Sequence, residues 1–486
     1  MTEVKTAGAA PAPGNAWNAT DWRKVKAQVR RLQMRIAKAV REGRRNKARA
    51  LQWLLTHSLY AKLLATLRVS TGKGAKTPGT DGVIWNTPAR KMNGALSLRR
   101  RGCKASPLRR IEIPKKNGRK RPLGIPTMRD RAMQALYLPA PEPAAETTAD
   151  GNSHGFRPYR ACRDAVGQCF CALGKSYSPK WILEADIKAC FDGISHDWLM
   201  KNIPVDKRML RQWPECGFVQ KGKLFRTRAG TPQGGVISPV LANMTLDGLE
   251  QAVRKSCPCR RKVNFVRYAD DFIVTADCEE LPEKNVMSAI NEFPEPRGLL
   301  LSAEKTKIVR IEQGFDFLGQ NLRKYRNKLI IKPPKDNAKS FLGKVRKQIR
   351  SCHGRKCEDM IRKLNPVIRG WSNYHKNIQA AEAFSRADTV IFQSLWRWCK
   401  RRHPNKNAGW IKNRYFNHPK GLFSCKVGKG RRKGKIITLI RASQTKLVRY
   451  IKIRGKSNPY DKTQEDCLKM RRRLNNATPI RGVKTI

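Results

Sequence analysis

The sequence predicts an α+β fold in which an antiparallel sheet, covered on one face, is flanked by basic helical segments. Three observations carry this. Short β-branched and aromatic runs alternate with helical stretches between Arg109 and Gly319. Helical periodicity without strand signals precedes them from Trp22 to about Leu67, and basic helical sequence follows from about Lys332. Short strands with interspersed helices are the pattern of a sheet packed on one face by helices.

The N-terminal helical region places Val29, Leu32, Ile36 and Val40 at spacings of three and four, with Arg and Lys between them. That is an apolar stripe with a basic outer face, and solvation is the usual fate of such a face. Thr71–Gly82 is a Gly-rich loop that matches neither the P-loop nor the dinucleotide fingerprint. Ile111–Ile113 and Arg121–Ile125 flank Asn117-Gly118, a strong hairpin signal. The helical pattern of Arg129–Glu146 contains Pro139, Pro141 and Pro143, so a break is expected there. Trp181–Asp186 reads as a buried strand ending on a carboxylate, Val240–Val253 as one helix, and Val263–Val274 as a hairpin. Ala338–Ile349, Cys357–Ile368 and Phe384–Lys400 read as a helical bundle, and apolar Ile436–Ile440 and Leu447–Ile451 argue for some folding in the C-terminal region. No internal repeat is found.

The chain has 486 residues, with 102 Lys+Arg against 37 Asp+Glu and a formal net charge of +65. That charge calls for a polyanionic partner, and 40% hydrophobic content keeps the chain among folded proteins. No apolar run approaches a membrane span, so nucleic acid is preferred to a membrane. The 14 cysteines form no CxxC pair or standard zinc frame, which favours free thiols in a reducing compartment. No Arg/Ser-rich presequence is evident, so a bacterial cytoplasm is expected before an organelle.

Chemistry centres on Tyr268-Ala269-Asp270-Asp271, an acidic pair at the turn of the Val263–Val274 hairpin. Adjacent carboxylates at a hairpin tip suit divalent cations near phosphates, although alone they are equally compatible with a surface turn. Asp186 lies 84 positions earlier, natural for a neighbouring strand. Were the strand ends to meet, three carboxylates would be placed to hold two Mg²⁺ for in-line displacement at a nucleotide, with no Ser, Cys or His nucleophile required.

Seven blocks in order resemble the reverse transcriptase/maturases encoded within group II introns. They are Arg121–Thr127, Gly155-Phe156-Arg157-Pro158, Ala185-Asp186-Ile187 with Phe191-Asp192, Gly230–Gly235 with Ser238-Pro239, Tyr268–Asp271, Leu301-Ser302 with Lys305-Thr306, and Phe317-Leu318-Gly319. The resemblance runs from about Trp22 to about Asp461. It implies a right-hand polymerase with fingers, palm and an α-helical thumb/maturase domain, copying RNA into DNA with two Mg²⁺ ions and dNTPs. Asp186, Asp270 and Asp271 would be the metal ligands, and Lys305 would sit near the leaving pyrophosphate. Lys115 and Arg121 would contact the triphosphate, Phe191 would gate against a 2′-hydroxyl, and Gln233 would lie beneath the nascent base pair. The implied partners are the group II intron RNA and target DNA.

Arg369, Trp371, Tyr374, His375, Arg401, Arg402 and Lys406 resemble the maturase region and are expected to form an RNA-binding face. Cations meet phosphates and aromatics stack on unpaired bases, while each Trp taken singly is more readily a packing residue. The expected organisation is a disordered tail (1–20), a basic helical extension (21–108), fingers/palm (109–330), thumb/maturase (331–416) and a basic DNA-binding-like domain (417–486). Many relatives continue past Asn458-Pro459-Tyr460-Asp461 into an HNH endonuclease. Here 25 residues with one Cys and no His follow, so second-strand cleavage is not expected. Ala189 replaces a customary Gly, mild unless φ is positive there. Tyr159 replaces a Gly or basic residue, and Pro139 and Pro141 replace helix-compatible ones. A splicing factor that has lost polymerisation is the rival reading, and recruitment to another duty such as defence a third. The first would be favoured by missing acids, all of which are present, and the maturase-like segment counts against the second.

Overall fold

The computed structural model describes residues 12–114, 118, 120–258, 261–426, 434 and 436–476. The chain divides into two compact units. The first runs to Gln168 and takes up Trp181–Ile308 and Ile453–Arg471; the second contains Cys169–Lys180, Val309–Lys452 and the residues from Arg472 onward.

The first unit begins earlier than the sequence suggested. Pro13–Asn18 is a helix, and Trp17 is buried against Trp22, Val25, Leu63, Met92 and Ala95. One aromatic side chain therefore orders part of the expected disordered tail. Three helices follow, Trp22–Arg41, Arg45–His57 and Leu59–Thr71. Asp21 caps the first through the amides of Arg23 and Lys24, and Gly43, at φ +70°, lets the chain turn out of it. Of the stripe read from the sequence, Val29 and Ile36 are buried and Leu32 and Val40 half-buried, and Val25 extends the buried face toward the N-terminus.

In chain order the strands of this unit are β1 (Leu108–Pro114), β2 (Lys120–Ile125), β3 (Trp181–Lys188), β4 (Phe218–Gln220), β5 (Lys223–Phe225), β6 (Asn264–Tyr268), β7 (Asp271–Ala276) and β8 (Leu300–Leu301). They form two sheets. One, in the order β2-β1-β4-β5, contains the expected hairpin, with Arg109 opposite Ile125 and Pro114 opposite Lys120. The other runs β6-β7-β3-β8 with antiparallel pairings. In its central strands β3 and β7, Leu183, Ala185, Phe272 and Val274 lie on one face and join the main core, while Glu184, Asp186 and Asp271 fall on the other beside buried Ile182 and Ile273.

The helical pattern before β3 breaks as expected, into Met128–Tyr137 and Glu142–Thr148. The prolines are accommodated. Carbonyls freed at the break accept from glutamines of the N-terminal helices, Pro139 from Gln33 at 3.3 Å and Ala140 from Gln52 at 3.0 Å. Val240–Val253, expected as one helix, is two: Ser238–Leu246 and Leu249–Ser256. Gly248 adopts φ +97° between them, a conformation incompatible with a continuous right-handed helix.

The expected separate domain at 417–486 is instead divided between the units, because residues 453–471 bury polar anchors in the first. The Tyr460 hydroxyl donates to Glu142 at 2.5 Å, and Arg41 pairs with Asp461 at 3.0 Å. Arg471 pairs with the fully buried Asp164, whose carboxylate also accepts the Ile453 amide.

β9 (Lys307–Arg310) leads into the second unit, where β10 (Phe315–Phe317), β11 (Gln320–Tyr325) and β12 (Lys328–Lys332) form an antiparallel sheet. Helices Lys335–Arg350, Cys357–His375, Ala381–Arg402 and Ala408–Tyr415 follow, then the strand pair β13 (Ser424–Lys426) and β14 (Ile436–Thr438). Of the two apolar runs expected to fold, the first contains β14; Leu447–Ile451 forms no helix or strand. No helix among the described residues is long and apolar enough to cross a membrane.

Replacing Tyr460 by Ala removes a buried ring and one hydrogen-bond donor to Glu142, so urea denaturation should show a loss of about 3 kcal/mol, against about 1 kcal/mol for Tyr460→Phe.

Candidate active site

Two carboxylates face each other because two strands pair in one register. Asp186 in β3 lies opposite Asp271 in β7, so their side chains share a face with Cβ atoms about 5 Å apart. Asp270 sits in the two-residue turn before β7, and its carbonyl accepts from the Ile187 amide at 3.1 Å. The turn is reinforced from below. Ala269 adopts φ +60°. The guanidinium of Arg267, wholly buried, reaches the Ala269 carbonyl at 3.3 Å and pairs with Asp247 at 2.8 Å. Burial pushes the Asp247 carboxyl up to about 6, against the opposing pull of Arg267. Gly155 lies so close that an added Cβ would fall 2.3 Å from the Ala269 nitrogen, so no larger residue fits there.

Burial raises the pKa of Asp270 and Asp271, neighbouring carboxylates add to it and the Lys305 ammonium opposes it; Asp271 is pushed up to about 7. The Lys305 ammonium donates to Asp186 Oδ2 at 2.6 Å, and this bond raises its own pKa. Among the described residues no three His, Cys, Asp or Glu side chains form a ready-made metal cage. The donor set nevertheless fits a hard divalent cation. Such ions take oxygen ligands, commonly one or two carboxylates, with water and substrate phosphate completing the shell.

Arg121 and Gln233, singled out separately in the sequence, are brought together. Arg121 Nε donates to Gln233 Oε1 at 2.7 Å, and Gln233 Nε2 donates to Asp192 Oδ2 at 2.9 Å. Asp192 was not among the predicted site residues, although its place beside Phe191 in a motif block was the available signal. Asp192 and Gln233 border a cavity of about 170 Å³ with Leu108, Arg110, Gly230 and Thr231. Phe191 is half-buried, edge-on to Phe156 at 6.2 Å. Lys115 lies outside the described residues.

Two departures from the motif pattern carry backbone strain. Ala189 adopts φ +46°, ψ +42°, the left-handed conformation that a Gly would take freely. Tyr159 adopts φ +61°, with its carbonyl accepting from Arg471 at 3.0 Å.

The residues expected to face RNA separate into two sets. Arg369, Arg401, Arg402 and Lys406 are exposed. Arg401 lines a cavity of about 330 Å³ with Arg346, Arg350, His353 and Arg397, a strongly cationic recess without an acidic side chain in its lining. The aromatic set instead faces the protein, which differs from the expectation. Trp371 stacks on Phe341 at 4.2 Å and donates to Asn337. Tyr374 donates to the Leu318 carbonyl at 2.6 Å, and His375 is wholly buried. Their helix spaces them on the side that packs inward, while Arg369 falls outside it.

Family models match three consecutive segments: an N-terminal domain of reverse transcriptase (residues 17–98), a reverse transcriptase, or RNA-dependent DNA polymerase, domain (113–322), and a group II intron maturase-specific domain (338–416). The fold and these matches place the chain in the reverse transcriptase class. Protein YkfC of Escherichia coli K12 is 31% identical over 342 residues, covering 59% of this chain and 88% of that protein. The group II intron-encoded protein LtrA of Lactococcus lactis is 28% identical over 369 residues, and the match spans 61% of this chain and 60% of LtrA. A telomerase from Candida albicans in complex with a telomeric RNA fragment aligns with a TM-score of 0.38 at 12% identity, covering 64% of each chain. The chain belongs to the group II intron reverse transcriptase/maturase family.

Ala189→Gly should raise stability by about 1 kcal/mol in urea denaturation, by relieving the left-handed alanine. Burial lowers the His375 pKa to about 4, below its ordinary value near 6.5. The unfolded chain then binds more protons between those values, so His375 contributes a loss of stability as pH falls from 6.5 to 4. Subtracting the denaturation curves of His375→Leu from those of wild type across that range should isolate this slope.

Proposed function

We propose that this protein synthesises DNA on an RNA template from dNTPs with two Mg²⁺ ions, and binds a group II intron RNA to assist its splicing and its mobility by target-primed reverse transcription. The observation that carries the reading is the Asp186–Asp271 register with Asp270 beside it, in a chain of this family. Asp186, Asp270 and Asp271 would hold the metal ions. When bound, these ions supply activation of a 3′-hydroxyl and charge neutralisation at the leaving pyrophosphate.

The rest of the site positions. Arg121, with Lys115, binds the triphosphate, and its bond to Gln233 sets the floor on which the nascent pair rests. Phe191, fixed edge-on by Phe156, closes the space a 2′-hydroxyl would occupy and so selects dNTPs. Lys305 balances charge beside the leaving group. The exposed Arg369, Arg401, Arg402 and Lys406 meet the intron RNA through its phosphates. Binding of this kind releases counterions and weakens steeply with salt. Target DNA is bound through the same kind of backbone contact.

Asp271→Asn should lower Mg²⁺-dependent extension of a DNA primer on an RNA template by about 100-fold or more, because charge at the reacting phosphate is no longer balanced. Binding of intron RNA by the variant should match wild type in a filter assay. Failure of the wild type to extend, with RNA binding intact, would replace polymerisation by a purely splicing role.

A further inference from the structure

Lys305 combines a fixed backbone with a mobile charge. It lies in the turn after β8, where its amide and that of Thr306 donate to the Ser302 carbonyl at 3.1 and 3.0 Å. The Ser302 amide in turn donates to the Asp186 carbonyl at 2.9 Å, tying the turn to the strand that carries the carboxylate. The Lys305 side chain is 64% exposed, on a flexible four-carbon stem, and its ammonium lies 2.6 Å from Asp186 Oδ2. Among the described residues this is the direct ion pair made by the three carboxylates. An ammonium at that distance occupies an oxygen that a divalent cation would need, and two cations sharing one small site repel each other.

We propose that Lys305 is a built-in counter-ion: it neutralises Asp186 while no metal is bound, yields that carboxylate to an arriving divalent cation, and is thereby released toward the phosphates of the substrate. This rests on the metal-binding reading of the site. The exchange gives the lysine two positions from one tether. Bound to Asp186 it offsets carboxylate repulsion, and released it stays within a side-chain length of the reacting phosphates. It also makes metal affinity lower than the carboxylates alone would set, because each binding event must break the ion pair.

The test is Mn²⁺ binding to the full chain without nucleic acid, read by electron paramagnetic resonance of free Mn²⁺. Lys305→Gln and Lys305→Ala should bind Mn²⁺ about two- to fivefold tighter than wild type, the range expected for loss of one competing exposed charge pair, and Lys305→Arg should stay near wild type. Thermal melts of the variants check that each is folded, as an exposed side chain leads one to expect. If wild type binds Mn²⁺, Asp271→Asn loses it, and the Gln and Ala variants bind no tighter than wild type, the metal site stands and the counter-ion role is overturned. If neither wild type nor the Lys305 variants bind Mn²⁺, the metal-binding reading falls and this inference with it.

Discussion

The pairing register of β3 and β7 is the constraint on which the rest of the site depends. A slip of one residue would send Asp186 or Asp271 to the opposite face of the sheet, since strand side chains alternate. The register is held by apolar content, because Leu183, Ala185, Phe272 and Val274 would be driven out of the core by the same slip. Burial of hydrocarbon therefore fixes the position of charge. The polar tip could not hold itself, because its carboxylates repel.

Around that register the protein spends stability on conformation. Ala269, Ala189, Phe156 and Tyr159 all adopt positive φ, each at a cost an ordinary residue seldom bears. Strain of this kind persists when surrounding contacts overdetermine it. Arg267 supplies one such contact, reaching from β6 to the Ala269 carbonyl and to Asp247 at the junction of two helices. The helix break at Gly248 is thus part of the same assembly: it lets Asp247 leave the helical path and meet the guanidinium that supports the turn.

Support also comes from both ends of the described chain. Gln33 and Gln52 satisfy carbonyls freed where Pro139 and Pro141 interrupt a helix, and Tyr460 reaches Glu142 immediately after that break. The prolines, departures from the family pattern, are compensated by hydrogen bonds from a segment more than 80 residues away in sequence. Positive charge gathers in the second unit, where Arg346, Arg350, Arg397 and Arg401 line a recess whose lining holds no acidic side chain.

Much of this was legible in the residues. Alternation and apolar runs predicted the pairing of β1 with β2 and of β6 with β7, although the second turn falls at Ala269-Asp270, which leaves Asp271 in the strand; periodicity predicted the basic helices, and the motifs singled out Asp186 and Asp271, which the register sets opposite each other. Local chemistry settles such features, because turn residues and hydrophobic period act over a few positions. What the sequence left open depended on contacts distant in the chain. That Trp371, Tyr374 and His375 turn inward while Arg369 stays exposed, that Asp192 joins Arg121 and Gln233, that Ala189 is left-handed, and that Tyr460 is buried beside Glu142 were decided only by tertiary packing. An aromatic or polar side chain suits a solvent-facing nucleic-acid surface and a satisfied interior equally well, and the surface or partner available to it exists only once the chain has folded.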